Sequence, residues 1–145
     1  MHEPEKAVLR FIDGTVLKGY LESFAPEKPE VTLRETDTDV NHAVLMDELK
    51  AIFFVRTFAG NRGYQEKKSY GIRKPRGRRT FIKFTDGEDL VGFLDGEVPW
   101  ERGFFLSKQT TKKLRGFFLL PADEGSNNIR IFVVARAVRD VTVVP

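Results

Sequence analysis

Eight of the chain's 24 Lys and Arg residues fall within residues 62–79: Arg62, Lys67, Lys68, Arg73, Lys74, Arg76, Arg78 and Arg79. Tyr64 and Tyr70 stand among them, and Gly63, Gly71, Pro75 and Gly77 interrupt regular structure. Cations for phosphate oxygens and rings for base stacking are the footprint of single-stranded nucleic-acid contact, RNA included. Affinity from that source falls as salt rises. The same composition also describes a solvated linker, with its charge there for solubility or to dock on the acidic residues that precede it. Recognition of an anionic nucleotide is a third and more distant use.

The remaining polar residues point away from catalysis. Asp86, Glu88, Asp89, Asp95 and Glu97 crowd one stretch without the spacing of a calcium loop. Asp37, Asp39, Asn41 and His42 form a polar loop without a ligand pattern, and the two histidines are His2 and His42. One loop histidine supplies neither a metal site nor a proton relay. No phosphate loop, dinucleotide fingerprint or Gly-x-Ser-x-Gly elbow is present. The expectation is a protein that is not an enzyme and has no cofactor and no metal. Lys108, Lys112, Lys113 and Arg115 make a second basic cluster, read as a hairpin tip kept soluble.

The elements that would carry these residues come from a repeat. Phe11-Ile12-Asp13-Gly14-Thr15-Val16-Leu17-Lys18-Gly19-Tyr20-Leu21 returns as Phe84-Thr85-Asp86-Gly87-Glu88-Asp89-Leu90-Val91-Gly92-Phe93-Leu94, with Gly14 and Gly87 73 residues apart. Asp-Gly between two strand-forming runs predicts a hairpin, with positive φ at both turn residues if the turn is type I′. Gly19 and Gly92 recur inside the second strand, which suggests a bend or bulge. The same separation relates Pro26 to Pro99, Val31 to Phe104 and Leu33 to Leu106, giving each copy a third strand. Val44 to Ile52 matches Val133 to Val141 at a separation of 89, a strand, a single turn and a last strand. The second copy is thus longer by 16 residues, expected between about Ser107 and Asn128 as an inserted hairpin. Phe53-Phe54, Phe104-Phe105 and Phe117-Phe118 are adjacent pairs, so one ring of each points away from its own copy, toward an interface between the copies, an oligomer contact or, as the alternative, an exposed aromatic face that would mark a partner site. Trp100 is the aromatic expected to be exposed.

Five short strands per copy, with a glycine in the second and a single turn before the fifth, describe an SH3-like barrel. The phrase apolar-x-Asp-Gly-x-x-x-x-Gly-x-Leu, at Phe11 to Leu21 and Phe84 to Leu94, resembles the first Sm motif. The second Sm motif, with its Arg-Gly, is replaced by Glu48-Leu49-Lys50-Ala51 and Ala137-Val138-Arg139-Asp140. The resemblance therefore implies the small-barrel fold and does not carry over the uridine pocket. The tail, Gly116 to Asp123 and Ser126 to Val133, is similar to an uncharacterised bacterial family whose members accompany signalling or PilZ-type domains. That likeness implies a regulatory accessory role. Residues 62–79 lack the Arg-x-x-x-Arg and Asp/Asn-x-Ser-x-x-Gly of PilZ-type cyclic dinucleotide receptors.

The net charge of +3 divides unevenly: residues 1–61 are acidic, 62–79 carry eight basic residues against Glu66, and 80–145 balance. The absence of Cys fits a reducing compartment, Met1 to Lys6 show no signal-peptide pattern, and no apolar run reaches the length of a membrane span. A cytoplasmic protein with no membrane partner is expected. The expected architecture is all-β: two tandem SH3-like, Sm-like barrels at 5–58 and 80–145, joined by a basic linker at 59–79. The expected role is a non-catalytic binding or regulatory module. It works through a protein partner or self-association, with nucleic-acid binding through the linker as the alternative.

Overall fold

The computed structural model describes residues 5–58, 77–94, 115–122 and 127–144. They form ten strands: β1 (Glu5–Phe11), β2 (Val16–Ser23), β3 (Glu30–Glu35), β4 (Asn41–Leu45), β5 (Leu49–Val55), β6 (Arg78–Phe84), β7 (Asp89–Leu94), β8 (Gly116–Pro121), β9 (Asn128–Val134) and β10 (Val138–Val144). Single 3-10 turns at Met46–Glu48 and Ala135–Ala137 lead into β5 and β10. All pairings are antiparallel, in the order β10-β6-β7-β8-β9-β5-β1-β2-β3-β4. Two closed barrels were expected; the strands instead make one continuous sheet that does not close, with β4 and β10 at its ends.

The repeat governs this sheet down to its register. Glu5↔Leu21, Lys6↔Tyr20 and Ala7↔Gly19 in the β1–β2 hairpin return as Arg78↔Leu94, Arg79↔Phe93 and Thr80↔Gly92 in β6–β7. The β1–β5 ladder slips between Arg10 and Phe11, leaving Lys50 as the bulged residue. The β6–β10 ladder slips at the matching place and bulges Arg139. Thr32↔Ala43 and Leu33↔His42 in β3–β4 correspond to Phe118↔Phe132 and Leu119↔Ile131 in β8–β9.

Those registers correct two expectations. The third strand of the second half is β8, with Phe117 and Leu119 in the places of Val31 and Leu33, not Phe104 and Leu106. Residues 95–114, including Phe104, Phe105, Leu106 and Trp100, lie outside the described residues. Most of the extra length therefore enters before the third strand rather than after it. The hairpin turns also differ from type I′. Gly14 (φ 95°) and Gly87 (φ 91°) have positive φ but Asp13 and Asp86 do not. Gly14 N–H donates to the Phe11 carbonyl and Phe11 N–H to the Thr15 carbonyl. This is a three-residue loop that ends on a left-handed glycine. Each Asp side chain accepts the backbone N–H two residues on, Thr15 or Glu88, at 2.9 Å.

Gly19 and Gly92 serve close approach. A Cβ on Gly92 would stand 2.6 Å from the Leu120 carbonyl oxygen, and one on Gly19 would clash with the carbonyl of Arg34. The irregularity of β2 lies further on, between Leu21 and Ser23.

Two apolar clusters form the core. One gathers Leu9, Val31, Leu33, Met46, Leu49, Ile52 and Phe54 from the first half with Phe132 and Val134 from β9. The other gathers Ile82, Phe84, Leu94, Phe117, Leu119, Ile131 and Val133 from the second half with Ala51 from β5. Side chains alternate across a strand, so β5 and β9 each feed both clusters. That explains the adjacent phenylalanines: Phe54 and Phe53 divide between the first and second clusters, as do Phe118 and Phe117.

The two kinds of glycine respond differently to substitution. Gly14→Asn, at an open turn that needs only positive φ, should cost less than about 1 kcal/mol. Gly19→Ala must push β3 away and should cost about 2–3 kcal/mol. Urea denaturation measures both, and equal losses would remove the close-approach account of Gly19.

Candidate functional site at the open β10 edge

Arg78 and Arg79 are exposed at the start of β6, so that strand begins inside the range expected for the linker. Arg62, Tyr64, Lys67, Lys68, Tyr70, Arg73, Lys74 and Arg76 lie outside the described residues, as do Lys108, Lys112 and Lys113. Arg115 is tied inward: its Nη1 lies 3.3 Å from Asp47 Oδ1 and its N–H donates to the Pro26 carbonyl. In the polar loop, Asp39 accepts from Arg34 at 2.9 Å, and His42 Nε2 lies 2.9 Å from Glu35 Oε1. That imidazole holds the Glu35 carboxyl below its usual range. Among the described residues no group of three or more His, Cys, Asp and Glu could hold a metal ion. No helix among them is long and apolar enough to cross a membrane.

The feature hardest to read from sequence is Lys50. It is only 5% exposed. The bulge at the start of β5 re-aims its side chain across the junction. Its Nζ donates to Asp86 Oδ2 at 2.8 Å and to Glu88 Oε1, and lies 4.7 Å from the centre of the Phe84 ring. Arg10 adds a longer contact to Glu88 at 3.7 Å. A buried ammonium is tolerable only when its protons are satisfied, and here carboxylates of the β6–β7 turn do so. The hydrogen bond from Lys50, then the Glu88 backbone N–H, holds the Asp86 carboxyl below its usual range. The acidic residues at 86 and 88 thus form a clamp between the halves. The sequence does carry a signal for it: Lys50 is the one charge in the run Leu49-Lys50-Ala51-Ile52-Phe53-Phe54-Val55.

At the far end of the sheet the matching position is open. β10 pairs with β6 on one side and, among the described residues, with no strand on the other. Beside it lies a cleft of about 660 Å³, lined by residues that include Phe81, Lys83, Asp89, Val91, Asp140 and Thr142. Phe81 is 41% exposed in its wall. The charges are mixed, with Lys83 paired to Asp89 at 3.5 Å. Apolar surface, mixed charge and an unpaired strand edge suit the binding of an extended polypeptide.

The clamp has a pH signature. A carboxyl whose folded pKa is depressed contributes stability that is fully present above its ordinary value, about 4 for Asp, and lost as pH falls through the lowered one. The Tm of the wild type should therefore fall more steeply below about pH 4 than that of Asp86→Asn, which has no such proton to bind. Melting curves across the acid range test this, and parallel profiles for the two proteins would remove the clamp from the account of stability.

Residues 3–145 match a family described as a family of unknown function, DUF6982. No curated protein and no solved structure matches. The match covers nearly the whole chain, both halves of the sheet included, so the chain belongs to the DUF6982 family.

Proposed function

We propose that this chain is a non-catalytic binding module that acts through protein–protein contacts, built from two small units of the SH3-like, Sm-like kind. The matching registers of β1–β5 and β6–β10 support the two-unit reading. The single observation that carries the binding role is the β10 edge, unpaired among the described residues at the end of a ten-stranded ladder and flanked by the cleft with Phe81 in its wall. An edge strand offers a row of backbone donors and acceptors. A partner that adds a strand there takes affinity from main-chain bonds and selectivity from alternate side chains set into the cleft.

A displayed library of random peptides, panned against the wild-type chain, tests the reading. Sequences of alternating apolar character should be enriched, and Phe81→Asp combined with Thr142→Lys should abolish their capture. Enrichment that survives both substitutions would place binding elsewhere and overturn the proposal. So would capture of no peptide alongside tight, salt-sensitive binding of a single-stranded oligonucleotide. That outcome assigns the function to residues 62–79 and their charge.

A further inference from the structure

We infer that the peptide added at β10 carries a basic residue, Lys or Arg, opposite Asp140, followed along the strand by apolar residues opposite Val141 and Val143. The inference rests on the strand-addition reading above and names the chemistry of the partner.

Cross-strand rows carry it. On the face of β6 turned away from the core, Asp140 of β10 pairs with Lys83, and Lys83 pairs with Asp89 of β7. The signs along that row are minus, plus, minus. Lys83 Nζ lies 3.5 Å from Asp89 Oδ1, so the ammonium is already answered on its β7 side. Asp140 is exposed and, among the described residues, makes no ion pair. The far side of β10 is open among the same residues. A strand laid there puts one side chain directly opposite Asp140, where opposite charge is favourable and like charge repels. A basic residue continues the alternation of sign.

The cleft beside the row agrees. Its wall holds the carboxylates of Glu88, Asp89 and Asp140 against the ammonium of Lys83. Glu88 is engaged by Lys50 and Asp89 by Lys83, which leaves Asp140 for an incoming strand. On its other face β10 presents Val141 and Val143, packed on the second apolar cluster and still partly open. Apolar side chains opposite them would remove that surface from water. The position between, opposite Thr142, continues the row of Phe81 and Val91 and suits a β-branched or aromatic side chain.

The internal ladder shows why the choice is selective. Ala51 stands in β5 where Asp140 stands in β10, and it meets Val133 of β9. A valine opposite Asp140 would strip water from a carboxylate and return no hydrogen bond. The edge therefore disfavours a strand of the β9 kind and accepts one with a cation at that place. Arg139 lies one residue outside the row and, like Lys50, is left to a group beside the added strand.

Parallel panning of one random peptide library against the wild type, Asp140→Asn and Asp140→Lys tests the inference on the whole chain. The wild type should enrich peptides with Lys or Arg immediately before or after an apolar-x-apolar phrase. This preference runs against the chain's net charge of +3, so non-specific attraction does not produce it. Asp140→Asn should erase it, and Asp140→Lys should replace the basic residue with Asp or Glu. Asp37→Lys, the same change of charge in the loop between β3 and β4, should leave the wild-type preference as it is. In titrations, changing the basic residue of an enriched peptide to Glu should weaken its binding to the wild type about fivefold. Circular dichroism checks that each variant folds. Peptides captured without a basic preference, equal affinity of the basic and Glu peptides, or a preference unchanged in Asp140→Asn overturns the inference and leaves strand addition at β10 standing. Capture of no peptide removes the strand-addition reading itself, and the inference with it.

Discussion

The ladder between β5 and β9 is the constraint on which the rest of the molecule depends. Each strand is buried on both faces over most of its length, so neither half has a complete core without the other's strand. Phe132 and Val134 of β9 sit fully buried among first-half residues, and Ala51 of β5 is fully buried in the second cluster. Units of this size bury too little surface to be comfortably stable alone. Sharing one strand each is how these two gain a larger core. The ends of the ladder are fastened separately. Lys50 is clamped by the β6–β7 turn at one, and at the other the Asn127 side chain bonds the Thr57 backbone through N–H at 3.1 Å and carbonyl at 2.8 Å. Arg130 crosses from β9 to Glu5 at 3.0 Å while lying over the rings of Phe54 and Phe118.

Duplication followed by divergence leaves a readable record along the strands. Where the fifth strand is internal, the residues after the bulge are Ala51 and Phe53; where it is terminal, they are Asp140 and Thr142. The fourth strand shows the same contrast: Phe132 and Val134 inside, Ala43 and the exposed Leu45 at the end. β10 has become more polar on the face its counterpart buries, and β4 has a smaller residue, Ala43, where β9 has Phe132, yet the basic residue at the bulge and the Asp of the turn stand in both halves. Burial explains Lys50 and Asp86 as a mutually satisfied pair. It gives no reason for Arg139 and Asp13 in isolation, beyond the turn bond that Asp13 makes with Thr15.

The repeat makes most of the strand plan legible in the order of the residues alone. Asp13-Gly14 and Asp86-Gly87 mark two hairpins, and the separation of 89 places β4, β5, β9 and β10. The third strand of the second half is misplaced by such a reading because Phe104 and Phe117 sit in identical Gly-Phe-Phe-Leu phrases, and local pattern cannot choose between them. Register chooses, since Phe117 and Leu119 pair with β9 as Val31 and Leu33 pair with β4. For Phe53-Phe54 and Phe117-Phe118, strand alternation alone tells that one ring of each pair leaves its own half's core. Closure is not legible, because a period of two says which side chains share a face and nothing about which edges meet. The basic residues at 62–76 draw attention for their charge, while Lys50, a single cation in an apolar run, carries the structural consequence.

An open edge is ordinarily a hazard, and proteins blunt edges with charge, bulges and short strands. Both ends of this sheet use those devices. β4 is five residues long with the His42–Glu35 pair beside it, and β10 has a bulge and the charges of Arg139 and Asp140. Blunting of this sort discourages indiscriminate pairing, but it does so unequally. A strand arriving at β10 with a flat apolar face would leave Arg139 and Asp140 facing an uncharged neighbour at its start. A strand that comes with an acidic turn beside it would satisfy the guanidinium and keep the apolar contacts along Val141 and Val143. The charges that protect the edge would therefore also select a strand that joined it. Selection by a repulsive element is how specificity arises when backbone hydrogen bonds alone would accept any extended chain.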